Sequence, residues 1–409
     1  MAQSKWSAKI LSWFILISML NYQQAVSKII TFAKPKIIKI SISEALHYVV
    51  AENLYSKKSN PSFDNSLLDG YAAKSSDIKK NKKLNIIAKL SAGENKKIPY
   101  KKNACFQVAT GCPVQKPYDC MIPYEQVDRE GKFILCKKSI QPYENIRKAG
   151  SDYKKKSLIL RKGSKISASQ LLAAKTLGIS KVKVFAKPTV ILFCSGDEIS
   201  DNPNLNNKTI NGISEYFNSF KEQYNYNFIY LGIVKDKAKD LKKIYNALKK
   251  NKKENVIFVS TGGVSMGHKD FIPSMLTKHN YKIIFHRMNM KPGRPTLFAR
   301  KNSSFYFGLP GNPISTIVGF HFLIMPLVLK LQNIQFKWKI GILNTNQMKN
   351  KKMSLFLRGS AINKKINILP GQESYKISTL VKANCWVLLD QNKSLIKKGS
   401  NVKYINYEN

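Results

Sequence analysis

Hydrophobic residues along the chain fall into three successive patterns. Residues 21–32 carry Ala25, Ile29 and Ile30 at helical spacing, and residues 43–54 carry Ala45, Leu46, Val49 and Val50 likewise. Both stretches therefore predict helices, joined by a basic connector at 34–39. Ser41 or Ser43 would cap the second helix, with Glu44 favouring its first turn. From residue 62 to 145 the pattern shortens to brief runs broken by Gly, Pro, Asn and Lys, which predicts a small β-domain. Residues 167–177 read as a helix again. Strands and helices then alternate from 187 to 331, as in a parallel, doubly wound domain. The last helix, 315–331, is apolar on nearly every face and is expected to be buried rather than in a membrane. Beyond 332, short runs such as Ile340-Gly341-Ile342-Leu343 and Trp386-Val387-Leu388-Leu389 predict a β-barrel or sandwich.

The fold class is thus multidomain α/β: a central doubly wound parallel-sheet domain flanked by a helical/β N-terminal region and a C-terminal β-barrel-like domain. The expected boundaries are an extension (1–18), a discontinuous linker domain (19–62 with 145–187), a small β-domain (63–144), the α/β domain (188–331) and the C-terminal β-domain (332–409). Lys5 and Lys9 precede an apolar stretch at 10–20 that would suit a signal-peptide core but is too short to span a bilayer. No convincing cleavage site follows, so an extension ahead of the folded domains is preferred.

Within the α/β region three apolar runs each end in chemically loaded residues. Val190-Ile191-Leu192-Phe193 leads to Ser195-Gly196-Asp197-Glu198. Val256-Ile257-Phe258-Val259 leads to Thr261-Gly262-Gly263-Val264-Ser265-Met266-Gly267, with Asp270 beyond. Phe305-Tyr306-Phe307 leads to Gly308-Leu309-Pro310-Gly311-Asn312-Pro313. Open α/β sheets bind ligands beyond the carboxyl ends of their strands, so three loaded ends in one sheet imply one site. Gly262 and Gly263 let backbone N–H groups approach an anion closely. Glu198, Asp236 and Asp270 are candidate carboxylates for Mg²⁺, since neighbouring carboxylates repel unless a cation or a proton-transfer task compensates them. Each alone could be a helix cap or a solvated loop charge, and for Asp236 that reading is about as good. Lys291 and Arg294, in Met290-Lys291-Pro292-Gly293-Arg294-Pro295, and Arg287 before them are fixed cations suited to an oxyanion. Upstream, the segments at 63–71, 109–114 and 145–152 are dense enough in turns and charges to form a recognition surface.

A net charge of +45 would point to nucleic acid, but only seven of the 69 basic residues are Arg and the Lys are spread throughout. Base and phosphate readout favours clustered Arg, so compositional drift explains the charge better and no specific nucleic-acid partner is expected. Six cysteines without C-x-x-C spacing read as reduced thiols of a cytoplasmic protein.

Taken in order, the motifs resemble those of the molybdopterin molybdenumtransferases, which are related to the C-terminal domain of gephyrin. The resemblance runs from about Met19 onward. It rests on F-D-N-S-x-x-D-G-Y-A (63–72), T-G-x-P-V (110–114), N-I-R-x-x-G-x-D (145–152), S-G-D-E (195–198), G-G-V-S-x-G-x-x-D (262–270), K-P-G-R-P (291–295) and G-L-P-G-N-P-x-S (308–315). It implies an elongated homodimer that takes adenylylated molybdopterin and molybdate, with Mg²⁺, and releases AMP. It also implies contact with other proteins of molybdenum cofactor synthesis, and no membrane association. Carried over by residue, the expected site comprises Asp69, Thr110, Arg147, Asp152, Glu198, Asp236, Asp270, Lys291, Arg294, Pro310 and Pro313. Gly311 and Asn312 lie between the last two, and Arg358 and Ser374 are implied in molybdate handling. The chain departs from the family pattern at Ser151, at Asn211 and Ile213, at Arg287 and His268, and at Glu373 and Tyr375 beside Ser374. Two other functions remain open: adenylylation of molybdopterin on the same α/β unit, and a nonenzymatic scaffold of the pathway.

Overall fold

A computed structural model describes residues 19–79, 82–94, 96–205, 207–234, 244, 246–247, 255–264, 272–390 and 392–407. Two compact units emerge: a smaller one from 39–46 and 50–184, and a larger one from the segments before, between and after. Helix α1 (Tyr22–Thr31) belongs to the larger unit. A capping box starts it, Asn21 Oδ1 accepting from Gln24 N at 2.9 Å and Gln24 Oε1 from Asn21 N at 3.0 Å. Tyr22, Ala25 and Ile29 form its buried stripe.

In the smaller unit, β1 (Asn65–Ser66) stands outside a six-stranded sheet. The sheet comprises β2 (Gly70–Ala73), β3 (Lys83–Leu90), β4 (Ala104–Val108), β5 (Cys120–Pro123), β6 (Val127–Glu130) and β7 (Phe133–Cys136), ordered β5-β2-β4-β3-β7-β6. Both faces are filled, one by Tyr71, Leu84, Ile122 and Ile134, the other by Phe106, Val108 and Met121. A short strand β8 (Ile146–Arg147) pairs antiparallel with β1. Helix α2 (Ala168–Thr176) lies where expected, with Ser167 completing its capping box.

The helix expected over 43–54 does not form. Ile42–Glu44 make a single 3-10 turn capped by Ser41, whose Oγ accepts from Ser43 N. His47 then adopts φ 67°, and Val50 pairs with Val184 as a strand residue. Ala45, Val49 and Val50 are buried as their spacing implied, Leu46 is exposed, and the left-handed residue breaks the helical path.

The larger unit is built on β9 (Thr189–Ser195), β10 (Asn227–Val234), β11 (Val256–Thr261), β12 (Lys282–His286), β13 (Leu297–Lys301) and β14 (Ser304–Leu309). Their order is β10-β9-β11-β14-β13-β12, with β10 to β14 parallel and the last two antiparallel. Alternate residues of the buried strands serve two cores. Val190, Leu192, Ile257, Val259, Phe305 and Phe307 face one, and Ile191, Phe193, Phe258 and Tyr306 the other. Helices α3 (Ile213–Ser219), α5 (Pro313–Gly319) and α6 (Met325–Leu331) supply the first core; α4 (Ile272–Lys278) supplies the second. A π-helical turn, Phe320–Ile324, joins α5 to α6. The resulting stretch Pro313–Leu331 is long and apolar enough to cross a membrane, yet 89% of it is buried inside the protein, as its all-round apolarity predicted.

The C-terminal residues close a sheet on itself. It contains β15 (Lys339–Leu343), β16 (Ser354–Ile362), β17 (Lys365–Ile368), β18 (Cys385–Leu389) and β19 (Asn401–Asn406). The order β16-β17-β15-β19-β18 is completed by pairing of β18 with β16, which leaves a barrel, not a sandwich. Helix α7 (Ile377–Lys382) lies between β17 and β18 in sequence.

Candidate functional site

Parallel register sets Cys194, Thr261 and Leu309 side by side, so the three loaded strand ends of β9, β11 and β14 are neighbours. Their loops meet backbone to backbone. Gly262 N donates to Leu309 O at 2.9 Å, and a Cβ on Gly262 would lie 2.3 Å from Ser195 O. Gly262 also holds φ +81°, which favours glycine. The Glu198 carboxylate folds over Gly196, whose φ is +147° and whose Cβ, if present, would sit 2.5 Å from Oε1. Thr316 Oγ1 donates to Pro310 O at 2.6 Å and holds the Gly311-Asn312 loop ahead of α5.

Glu198, Thr261, Gly311, Asn312 and Pro313 border a cavity of about 520 Å³. Its remaining wall is largely apolar: Ile199, Ile213, Tyr216, Ile317, Ile377 and Leu380. A polar edge on an apolar body of this volume suits a small organic ligand with a polar end. Asn211 organises the edge. Its Nδ2 donates to Asp201 Oδ1 at 2.9 Å and Tyr230 Oη at 2.9 Å, while its Oδ1 accepts from Ile213 N at 3.0 Å.

Behind the cavity wall, Tyr216 Oη lies 2.7 Å from His321 Nε2, in the π-helical turn. Complete burial lowers the His321 pKa from its ordinary value to about 3. A depressed histidine leaves stability intact above its unfolded pKa, and that stability is lost as pH falls towards the folded value. Between pH 7 and pH 5 the loss is about 2 kcal/mol, because the unfolded imidazole gains a proton and the folded one does not. Urea denaturation at both pH values should show His321→Gln losing that much less stability than wild type. An equal loss in both proteins would contradict it.

Of the other expected residues in the larger unit, Arg287, Lys291 and Arg294 are exposed cations on one turn. Arg287 N donates to Thr296 O and Met288 N to Arg294 O, each at 2.9 Å. The turn abuts α5, since a Cβ on Gly293 would lie 3.7 Å from Ser315 O. None of the three cations borders the cavity. Gly263 packs beside Ser195 and Ile272. Asp236, Ser265 and Asp270 lie outside the described residues, as does His268. Arg358 is buried in β16 and directs its guanidinium at protein oxygens; Ser374 is half-buried in the turn it holds. Cys194 is buried, with its thiol pKa raised by desolvation, and acts in packing.

In the smaller unit the three upstream segments do converge. Strand β8 sets Arg147 opposite Asn65, Gly111 N donates to Ser66 O at 2.9 Å and Val114 N to Asp64 O at 2.9 Å. Asp69 Oδ1 accepts from Thr110 N at 2.6 Å and Thr110 Oγ1 at 2.9 Å. The backbone N–H first, then the hydroxyl, hold the Asp69 carboxyl below its ordinary pKa. Asp152 Oδ2 accepts from Asn60 Nδ2 at 2.7 Å. Exposed Phe63, Leu67 and Leu68 surround this surface.

Among the described residues no three His, Cys, Asp or Glu side chains gather as a metal site. Among the described residues of the cavity wall, Glu198 alone contributes a carboxylate. Mg²⁺ is commonly held by one or two carboxylates with substrate phosphates, so this oxygen donor fits it, whereas no described residue of the cavity wall offers a thiolate or imidazole. Sequence reasoning missed Tyr216, Ile377 and Leu380, which belong to no motif and reach the cavity only through tertiary packing.

Comparisons with known proteins cover most of the chain. Residues 20–178 match the MoeA N-terminal region (domain I and II), 191–330 a probable molybdopterin binding domain, and 341–407 the MoeA C-terminal region (domain IV). A molybdopterin molybdenumtransferase of Haemophilus influenzae is 30% identical over 376 residues, covering 89% of this chain and 92% of that protein. Gephyrin of Dictyostelium discoideum is 27% identical over 90% of this chain and 59% of its own length. A molybdopterin biosynthesis MoeA protein from Pyrococcus horikosii superposes with a TM-score of 0.77 at 24% identity, covering 96% of this chain and 100% of that one, and shares the fold. The chain therefore belongs to the MoeA family of molybdopterin molybdenumtransferases.

Proposed function

We propose that this protein is a transferase that inserts molybdate into adenylylated molybdopterin, releasing AMP and yielding molybdenum cofactor. The observation that carries the reading is the cavity at the carboxyl ends of β9, β11 and β14, where Glu198 and the Gly311-Asn312-Pro313 loop meet an apolar wall. The wall accepts the ring portion of the substrate, and the backbone N–H of Gly263 approaches its phosphates, that of Gly262 being bonded to Leu309 O. Glu198, with Asp236 and Asp270, would hold Mg²⁺; when bound, the ion neutralises charge on the phosphoanhydride as it is cleaved. Lys291, Arg287 and Arg294 supply cations for molybdate and for the departing phosphate. Asp69, Thr110, Arg147 and Asp152 form a second surface, and its exposed apolar Phe63, Leu67 and Leu68 support assembly of two copies. Six unpaired, buried thiols support a cytoplasmic setting.

The test is incubation of the purified protein with Mg²⁺ and adenylylated molybdopterin, with and without molybdate. AMP should appear only with molybdate. In parallel, molybdopterin and ATP without molybdate should give no pyrophosphate; nucleotide transfer there would favour the adenylyltransferase reading, and silence in both arms a scaffold.

A further inference from the structure

Arg358 is 1% exposed, and its guanidinium is occupied by one turn of its own chain. Nη1 donates to Lys376 O at 2.6 Å, Nη2 to Gly371 O at 3.1 Å and Glu373 O at 3.2 Å, and Nε to Gln372 Oε1 at 3.4 Å. Gln372 closes the ring by donating Nε2 to Arg358 O at 2.8 Å and Leu369 O at 2.7 Å. A guanidinium has five N–H donors in a fixed fork, so these contacts leave at most one for any anion. Three carbonyls spread around one planar cation also exceed what a lysine ammonium could hold in the same geometry.

The turn leads directly into α7. Lys376, whose carbonyl receives the shortest of these bonds, is the residue before Ile377 and caps the helix. Thr379 Oγ1 ties the first turn of α7 back to Gly371 O at 2.8 Å. Ile377 and Leu380 of this helix are cavity wall.

We propose that Arg358 is a positioning residue for the organic substrate: it clamps the turn from Gly371 to Lys376 and so sets the wall formed by Ile377 and Leu380. This rests on the reading of the cavity as the ring-binding site.

The clamp itself is tested by amide hydrogen exchange of the full-length protein without substrates. Exchange over 371–382 should rise at least tenfold in Arg358→Met and Arg358→Lys, with β9 and β11 unchanged; equal rates would overturn the proposal whatever the reaction. Its consequence is tested by steady-state kinetics with each substrate varied separately. Both variants, and the double variant Ile377→Ala/Leu380→Ala, should raise KM for adenylylated molybdopterin about tenfold and leave KM for molybdate within twofold. Combining Arg358→Met with the double variant should add little, since both act on one wall. A rise confined to the molybdate KM, or effects that multiply, would overturn the proposal. A wild-type protein without turnover counts against the reaction alone, because the exchange measurement still decides the clamp.

Discussion

Gly262→Ala should lower molybdate-dependent AMP release by about 100-fold while leaving the far-ultraviolet circular dichroism unchanged, since misplacing a reacting group by an ångström costs on that order. The added methyl meets the Ser195 carbonyl at 2.3 Å, a contact no side-chain rotation relieves because the backbone fixes the position of a Cβ and the oxygen is itself backbone. Strand β9 is held on both sides, by β10 and β11, so Ser195 cannot retreat. The loop of Gly262 must move instead, and φ +81° adds about 1 kcal/mol of strain for a residue bearing a Cβ. Because Gly262 N also binds Leu309 O, that movement disturbs the Pro310-Gly311-Asn312 loop as well. Activity within threefold of wild type would mean that the junction of the three loops is not where the reaction occurs.

Glu198→Gln should lower kcat by about 100-fold at saturating substrates, the scale seen when a single group stabilising transition-state charge is removed. The substitution keeps size and hydrogen-bonding capacity but removes the negative charge. Apparent Mg²⁺ affinity should weaken by at least tenfold in the same titrations. Full activity with unchanged Mg²⁺ dependence would place the metal elsewhere and leave Glu198 as a lining residue of the cavity.

Much of this arrangement was legible in the sequence because it depends on local chemistry. Continuous apolar runs gave the buried strands β9, β11 and β14, and a cavity lies at their loaded ends. The 167–177 helix formed where the sequence placed it. The 43–54 segment misled because burial of Ala45, Val49 and Val50 is shared between a 3-10 turn, a left-handed His47 and a bridge to Val184. Periodicity records which residues are buried, not the backbone that buries them. The Tyr216–His321 pair and the α7 wall were illegible for another reason: each partner lies more than 50 residues from the other half of its contact. Arg358 shows the same limit. The resemblance singled it out, but only the folded turn discloses that its donors serve carbonyls at 371, 373 and 376.

The measurement that bears most directly on the central claim is the yield of molybdenum bound to pterin against AMP released, in one reaction of the purified protein with adenylylated molybdopterin, Mg²⁺ and molybdate. One molybdenum per AMP is predicted, with neither product formed when molybdate is omitted. AMP released without molybdenum reaching the pterin, or no AMP at all, would contradict it.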